Sequence, residues 1–250
     1  MTNARVVASI GTTHPWNIAG VGLDALVCAS YNVRHTAAIA GVSAQDATGV
    51  RAMHAIPAGV LDAQLRALPP ADAYCIGALP DATTVRVVAA FLALHAQCCA
   101  VVDPVFTATL GGDLADAAAI EAFRALLLPL PIVLTPNRSE VERLLRRSIE
   151  FEDAPGAARE LRDRGPRAVF LKGGHFDGVL RDILAAGETT LYEEPRLEGS
   201  MRGAGGVLAA ALACELALGN DLPAAAIAAR AFVRERIEAR KSFGPLQVAF

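Results

Sequence analysis

The chain has 250 residues, 53% of them hydrophobic and 20% charged, and a formal net charge of −3 at pH 7. That balance fills a sizeable core and excludes a nucleic-acid surface as the basis of function, while a pI of about 6.0 leaves small-molecule chemistry open. No apolar run reaches the length of a membrane span, and no Pro/Ser-rich linker divides the chain, so residues 1–250 are expected to form a single domain with no membrane partner. Met1 to Arg5 leads straight into a strand-like segment without a secretory leader, and a cytoplasmic protein is expected. The five cysteines (Cys28, Cys75, Cys98, Cys99, Cys214) are odd in number, lack C-x-x-C spacing and do not pair with histidines at zinc-ligand spacing. They read as reduced, small buried hydrophobes.

In chain order, Arg5 to Gly11 is a short apolar run ending in glycine, as expected for a strand buried in a parallel sheet. Thr12 to Asn17 is a loop at its carboxyl end, and Ala19 to Ser30 reads as a helix. Asp24, near the start of that helix, is either a first-turn acid favoured by the dipole or a hydrogen-bonding group for a ligand. His35 to Val42 and Val50 to Ile56 are strands. Pro57 opens a helix whose apolar face is Val60, Leu61, Leu65 and Leu68. Ala73 to Leu79 is a strand, Thr83 to His95 a helix, and Cys99 to Pro104 a strand that ends on Asp103, where an acid is well placed for a ligand or metal. Leu114 to Leu127 is a helix and Ile132 to Pro136 a strand. The helix Ser139 to Arg147 carries Glu140 in its first turn, where the dipole favours an acid in any case. Ala154 to Arg164 is a helix. Ala168 to Leu171 is a strand closed by Lys172-Gly173-Gly174-His175. Val179 to Ala185 and Thr189 to Glu194 form a pair of outer strands. The last helix, Ala224 to Glu238, ends in alternating charges (Arg234, Glu235, Arg236, Glu238, Arg240) that read as a solvated face.

Strand–helix alternation over nearly the whole length predicts an α/β fold, a mostly parallel sheet with helices on both faces. Neither G-x-G-x-x-G after the first strand nor a P-loop is present. The glycine-rich stretch sits near the C-terminus instead: Gly203-Ala204-Gly205-Gly206 opens a helix over Val207 to Leu218. A glycine loop running into a helix gathers free N–H groups and the positive end of the dipole, an anion site; alone, the same stretch reads equally as a tight turn before a packed helix.

Six segments in order resemble the hydroxymethylpyrimidine/phosphomethylpyrimidine kinases of the ribokinase-like superfamily. Ala19-Gly20-Val21-Gly22-Leu23-Asp24 is similar to AGIQAD and Val42-Ser43-Ala44-Gln45-Asp46 to VTAQN. Val101 to Val105 matches VVDPV, Leu134 to Glu140 matches LTPNxxE, Leu171 to His175 matches VKGGH, and Gly203 to Gly206 occupies the GTGC/GAGD anion hole. The resemblance implies a three-layer ribokinase-like fold and an ATP- and Mg²⁺-dependent phosphotransferase. It implies that Gly203, Ala204, Gly205 and Gly206 hold the transferring phosphoryl. Glu140, with Asn137, positions Mg²⁺; Asp103 lies beside the phosphates; Lys172 and Gly173 line the nucleotide side. Asp24 and Gln45 read the aminopyrimidine between apolar walls, Ala19 and Val105. A homodimer is the expected assembly.

The departures are as informative. The family's Cys or Asp at the end of the glycine motif is Gly206, and its N-terminal Asp is His14, with Asn17-Ile18 in place of paired glycines. The usual Lys after DPV is Thr109. Arg202 precedes the anion hole as either a phosphate ligand or a surface residue. An alcohol must lose a proton to attack ATP, whereas a phosphomonoester, with a second pKa of about 6, is already largely dianionic. A chain with Gly206 is therefore expected to phosphorylate a pyrimidine monophosphate better than the free alcohol. The alternatives are a pyridoxal-type kinase and a catalytically inactive binding protein.

Overall fold

In the computed structural model of the protein, residues 4–175 and 179–250 are described, and the apolar runs become one nine-stranded sheet. Met1 to Asn3, the start of the segment read as lacking a leader, lie outside the described residues. The strands are β1 (Val6–Thr12), β2 (Arg34–Asp46), β3 (Gly49–Ala55), β4 (Ala73–Ile76), β5 (Cys99–Val102), β6 (Val133–Leu134), β7 (Ala168–Leu171), β8 (Leu180–Ala186) and β9 (Glu188–Glu194), in the order β3-β2-β1-β4-β5-β6-β7-β8-β9. The six from β2 to β7 across the sheet run parallel; β3 and β8 pair antiparallel with their neighbours, and β9 with β8. The order reverses between β1 and β4. At such a reversal, connections leave the sheet in opposite directions and open a crevice at the strands' carboxyl ends.

Both faces are covered, which is why the strands read as unbroken apolar runs. Along each strand, alternate residues serve different cores. Ile76, Val102 and Leu171 face α2 (Ala58–Ala67), α3 (Ala82–Leu94), α4 (Ala117–Ala122), α5 (Arg138–Leu145) and α6 (Ala154–Arg162); Cys75, Val101 and Phe170 face α1 (Gly20–Ser30), α7 (Ala204–Ala217) and α8 (Leu222–Glu238). Every residue of α7 from Val207 to Glu215 is buried, and its small side chains let it press against β1, β4 and β5.

Several expectations are corrected. The helix expected from Leu114 begins only at Ala117, because the Asp116 side chain caps it by accepting from Ala119 N at 2.6 Å, and its last turn, Phe123–Leu127, is π-helical. β4 and β6 are shorter than their apolar runs, since the chain leaves the sheet at the crevice. Val60 does not face the core: it is 53% exposed, and Leu61 and Leu65 carry the burial of α2. Of the cysteines, Cys98 and Cys99 are only half-buried. The charged end of α8 is not a solvated face throughout. Arg234 pairs with Glu194 of β9 at 3.0 Å, and Arg236 lies over the Phe232 ring.

A C-terminal hairpin, β10 (Lys241–Phe243) with β11 (Leu246–Val248), was not legible in the sequence. Leu246 and Val248 pack on Ile18, the Trp16 and Phe243 rings meet edge to face at 5.2 Å, and Arg202 N donates to Gln247 O at 2.8 Å. The hairpin thereby ties the loop after β1 to the loop before α7. No helix among the described residues is long and apolar enough to cross a membrane.

Candidate active site

The crevice is a cavity of about 550 Å³. It gathers residues from segments far apart in sequence: His14, Ala19 and Asp24 after β1, Gln45 on β2, Asp103 and Val105 after β5, Asn137 and Glu140 after β6, Lys172 after β7, and Arg202 through Gly206 at α7. Thr109 lines it too. Gly173 does not: its N donates to Asp182 Oδ1 at 2.7 Å, and a Cβ there would lie 1.9 Å from Arg181 O, so it is buried framework behind Lys172.

At the anion-binding stretch, Gly203 is the N-cap of α7 with φ +79°, and a Cβ on it would meet Ile18 O at 2.3 Å. Only glycine fits there. Val207 N makes the first intrahelical bond, to Gly203 O at 2.9 Å, which leaves the amides of Ala204, Gly205 and Gly206 at the open helix end. A Cβ on Gly205 would sit 3.3 Å from Lys172 Nζ and 3.8 Å from Asp103 Oδ2, so these amides face a charged cluster. Gly206 differs from Gly203. It lies within the helix, and a Cβ would find only Leu23 Cδ2, at an ordinary 3.4 Å. The backbone does not require glycine at 206.

In the charged cluster, Lys172 Nζ is 2.5 Å from Asp103 Oδ1 and 3.7 Å from Glu140 Oε2, and Thr135 Oγ1 donates to Asp103 Oδ1 at 3.1 Å. Burial pushes the Glu140 carboxyl up to about 7, against the pull of Lys172 and with the help of Asp103. Burial by itself would lower Lys172, but the two carboxylates hold its ammonium above the usual range. Glu140 is also half of a capping box: Asn137 Oδ1 accepts from Glu140 N at 3.0 Å, and Glu140 Oε2 accepts from Asn137 N at 2.7 Å. The helix-start acid and the cavity-facing acid are the same residue. Two buried carboxylates set against one ammonium form a donor set suited to Mg²⁺, which takes one or two carboxylates and keeps several waters.

The rest of the cavity lining is built differently. Asp24 lies in the second turn of α1, not the first, so the dipole is not the reason for an acid there. Burial pushes its carboxyl up to about 7; the Ser9 hydroxyl opposes that rise and Asp103 adds to it. Ser9 Oγ is itself 3.0 Å from His35 Nε2. Such a carboxyl both donates and accepts near neutral pH. Gln45 Nε2 donates to Ser43 Oγ at 2.8 Å, and Ser43 Oγ donates to Thr13 O at 2.5 Å. His14 is 97% buried (3% exposed); its Nδ1 accepts from Trp16 N at 3.1 Å, and its Nε2 has no partner. Arg202 is half-buried rather than on the surface, and its Nε and Nη1 are buried without partners.

Sequence reasoning missed the support behind the Lys172 turn. Asp182 Oδ2 accepts from Arg230 Nε at 2.8 Å while Asp182 Oδ1 holds Gly173 N, and Arg230 Nη1 reaches Glu194 at 2.9 Å. The signal available was an arginine inside an alanine-rich helix, Ala228-Ala229-Arg230-Ala231, and an acid just before the apolar run Ile183-Leu184-Ala185.

A family described as phosphomethylpyrimidine kinase matches residues 17–249. A hydroxymethylpyrimidine/phosphomethylpyrimidine kinase of Synechococcus elongatus is 39% identical over 243 residues, covering 90% of this chain and 89% of that protein. One from Haemophilus influenzae is 34% identical, covering 95% and 92%. Among solved structures, phosphomethylpyrimidine kinase from Clostridium difficile superposes with a TM-score of 0.83 at 25% identity, covering 93% of this chain and 99% of that one. Pyridoxal kinase from Bacillus subtilis, solved as an ADP complex, superposes with a TM-score of 0.88 at 23% identity, covering 98% and 96%, a likeness of fold.

Proposed function

The chain belongs to the phosphomethylpyrimidine kinase family and is a phosphotransferase, and from that premise we propose that it transfers the γ-phosphoryl of ATP to the phosphate of an aminopyrimidine monophosphate, with the free pyrimidine alcohol a poor acceptor. The observation that carries the second half is Gly206, a helical position whose backbone accepts a Cβ and which carries no titratable group.

The division of labour follows from the cavity. The amides of Ala204 to Gly206 receive the oxygens of the transferring group, and Lys172, kept charged by Asp103 and Glu140, neutralises charge that spreads over it. Glu140 and Asp103 would hold Mg²⁺, which when bound offsets the charge of the nucleotide phosphates. Asp24 and Gln45 orient the aminopyrimidine, with Ala19 and Val105 as apolar walls. An acceptor phosphate oxygen forms the new P–O bond as the bond from γ-phosphorus to the ADP oxygen breaks; with a dianionic monoester no proton has to leave first. An alcohol needs a base, and His14 is not placed as one. Its Nδ1 lone pair takes the Trp16 N–H, so in the neutral ring the proton sits on Nε2.

The test is turnover of the wild-type protein on both acceptors with ATP and Mg²⁺. The monophosphate is expected to be the better acceptor by at least about 10²-fold, the lower end of what a general base contributes. Gly206→Asp or Gly206→Cys should raise alcohol turnover relative to the monophosphate. Alcohol turnover equal to the monophosphate in the wild type would refute the proposal, and turnover of pyridoxal above either would move the substrate class.

A further inference from the structure

We propose that His14 and Arg202 form a seat for the phosphate already carried by the acceptor, separate from the anion hole at α7. The inference rests on the reading of a phosphorylated acceptor and adds the residues that select it.

Three buried nitrogens on these two side chains are without partners: His14 Nε2, Arg202 Nε and Arg202 Nη1. A buried donor left unmatched costs free energy, and a ligand in the cavity it lines can match it. Their chemistry is one-sided. Arg202 has donors only, and the Trp16 N–H at His14 Nδ1 fixes the neutral ring so that Nε2 is a donor as well. Burial lowers the Arg202 guanidinium from its usual range with no acid opposing the fall, and burial, then Arg202, lowers His14. A wall of donors around an uncompensated cation calls for an anion.

The two side chains are also held in place by backbone contacts. Gly203 packs against Ile18 O, so the loop bearing His14 lies directly on the turn bearing Arg202, and the Gln247 carbonyl of the C-terminal hairpin takes Arg202 N at 2.8 Å. Both side chains line the cavity that holds Asp24, Gln45 and the α7 amides. A monoester spanning from Asp24 and Gln45 toward α7 therefore passes them. The amides take the incoming phosphoryl; the His14–Arg202 pair takes the resident one.

A phosphate could also come from the nucleotide, and the test separates the two sources. By calorimetry without turnover, the wild type, Arg202→Met and Arg202→Lys are titrated with the aminopyrimidine monophosphate, the matching alcohol and a non-hydrolysable ATP analogue. The expected result is that the wild-type preference for monophosphate over alcohol falls at least about tenfold in Arg202→Met, equivalent to about 1.4 kcal/mol, with Arg202→Lys in between and binding of the ATP analogue retained. An unchanged preference, or a loss confined to the ATP analogue, overturns the proposal. If neither pyrimidine binds the wild type, the substrate reading has failed, and the seat is tested alone by titrating inorganic phosphate and following the His14 imidazole by ¹⁵N NMR. A shift that disappears in Arg202→Met sustains the seat; no shift in the wild type overturns it.

Discussion

The two ends of the cavity differ in how far the protein satisfies its own polar groups. At the Lys172 end, ammonium, carboxylates, threonine hydroxyl and capping amide bond to one another at 2.5–3.7 Å. At the His14 end, a buried imidazole and a guanidinium keep unmatched nitrogens, and Asp24 is pushed far from its ordinary range. His14 and Arg202, which depart from the resemblance, belong to the second end, whereas Gly206 belongs to the α7 amides that face the charged cluster. A closed network fixes groups whose task is the same in every turnover. An open one leaves its last hydrogen bonds to whatever binds, and so carries the choice of ligand.

Breaking the closed end should have the largest effect. Glu140→Gln is expected to lower turnover by about 10²–10³-fold, the scale of losing one stabiliser of developing charge. Glutamine at this position still completes the capping box, so at pH 5, where the folded Glu140 carboxyl is already protonated, the unfolding free energy should move by less than about 1 kcal/mol. Steady-state kinetics beside urea denaturation reads both. Unchanged turnover at low Mg²⁺ would reduce Glu140 to its role as a cap.

One carboxyl from each network should show in the pH dependence of stability. Asp24 and Glu140 have folded values of about 7 against ordinary values of 3.8 and 4.5. The native state thus holds protons that the unfolded chain has already released. Their stabilising contribution is full below the unfolded values and is lost as pH rises through about 7. The ligand-free protein should be less stable at pH 8 than at pH 5, and Asp24→Asn should shrink that difference by on the order of 2 kcal/mol. Equal pH profiles for wild type and variant would show that Asp24 is not the group responsible.

Much of this contrast was legible in the sequence, and the illegible parts share a cause. β5 and β7 read correctly because both of their faces are buried, which leaves a continuous apolar run. Asn137 and Glu140 were legible because a capping box is local, three residues across. Asp182 and Arg230 were not, since they are 48 residues apart and each looks solvated until its partner is known. The hairpin Lys241–Val248 escaped for the same reason: its two three-residue strands bury Leu246 and Val248 against Ile18, at the far end of the chain. Whether the backbone at Gly206 accepts a Cβ is not legible in the sequence; its place inside α7, with only Leu23 near a Cβ, shows that it does.

The smallest effect expected is the most specific. Ser43 has one hydroxyl proton, and the Thr13 carbonyl, which only accepts, takes it at 2.5 Å. Ser43 Oγ can then only accept from Gln45, so the Gln45 amide must turn its NH₂ toward Ser43 at 2.8 Å and its carbonyl oxygen away. That oxygen suits the exocyclic amine of an aminopyrimidine. Gln45→Ala should raise the pyrimidine KM by about five- to tenfold, the worth of one hydrogen bond of about 1 kcal/mol, and leave the ATP KM within about twofold. Ser43→Ala keeps the amide but frees it to rotate, and should raise the pyrimidine KM by less, about two- to threefold. If both substitutions moved the ATP KM as much as the pyrimidine KM, Gln45 would be supporting the cavity as a whole, and the open end would lose its claim to choose the acceptor.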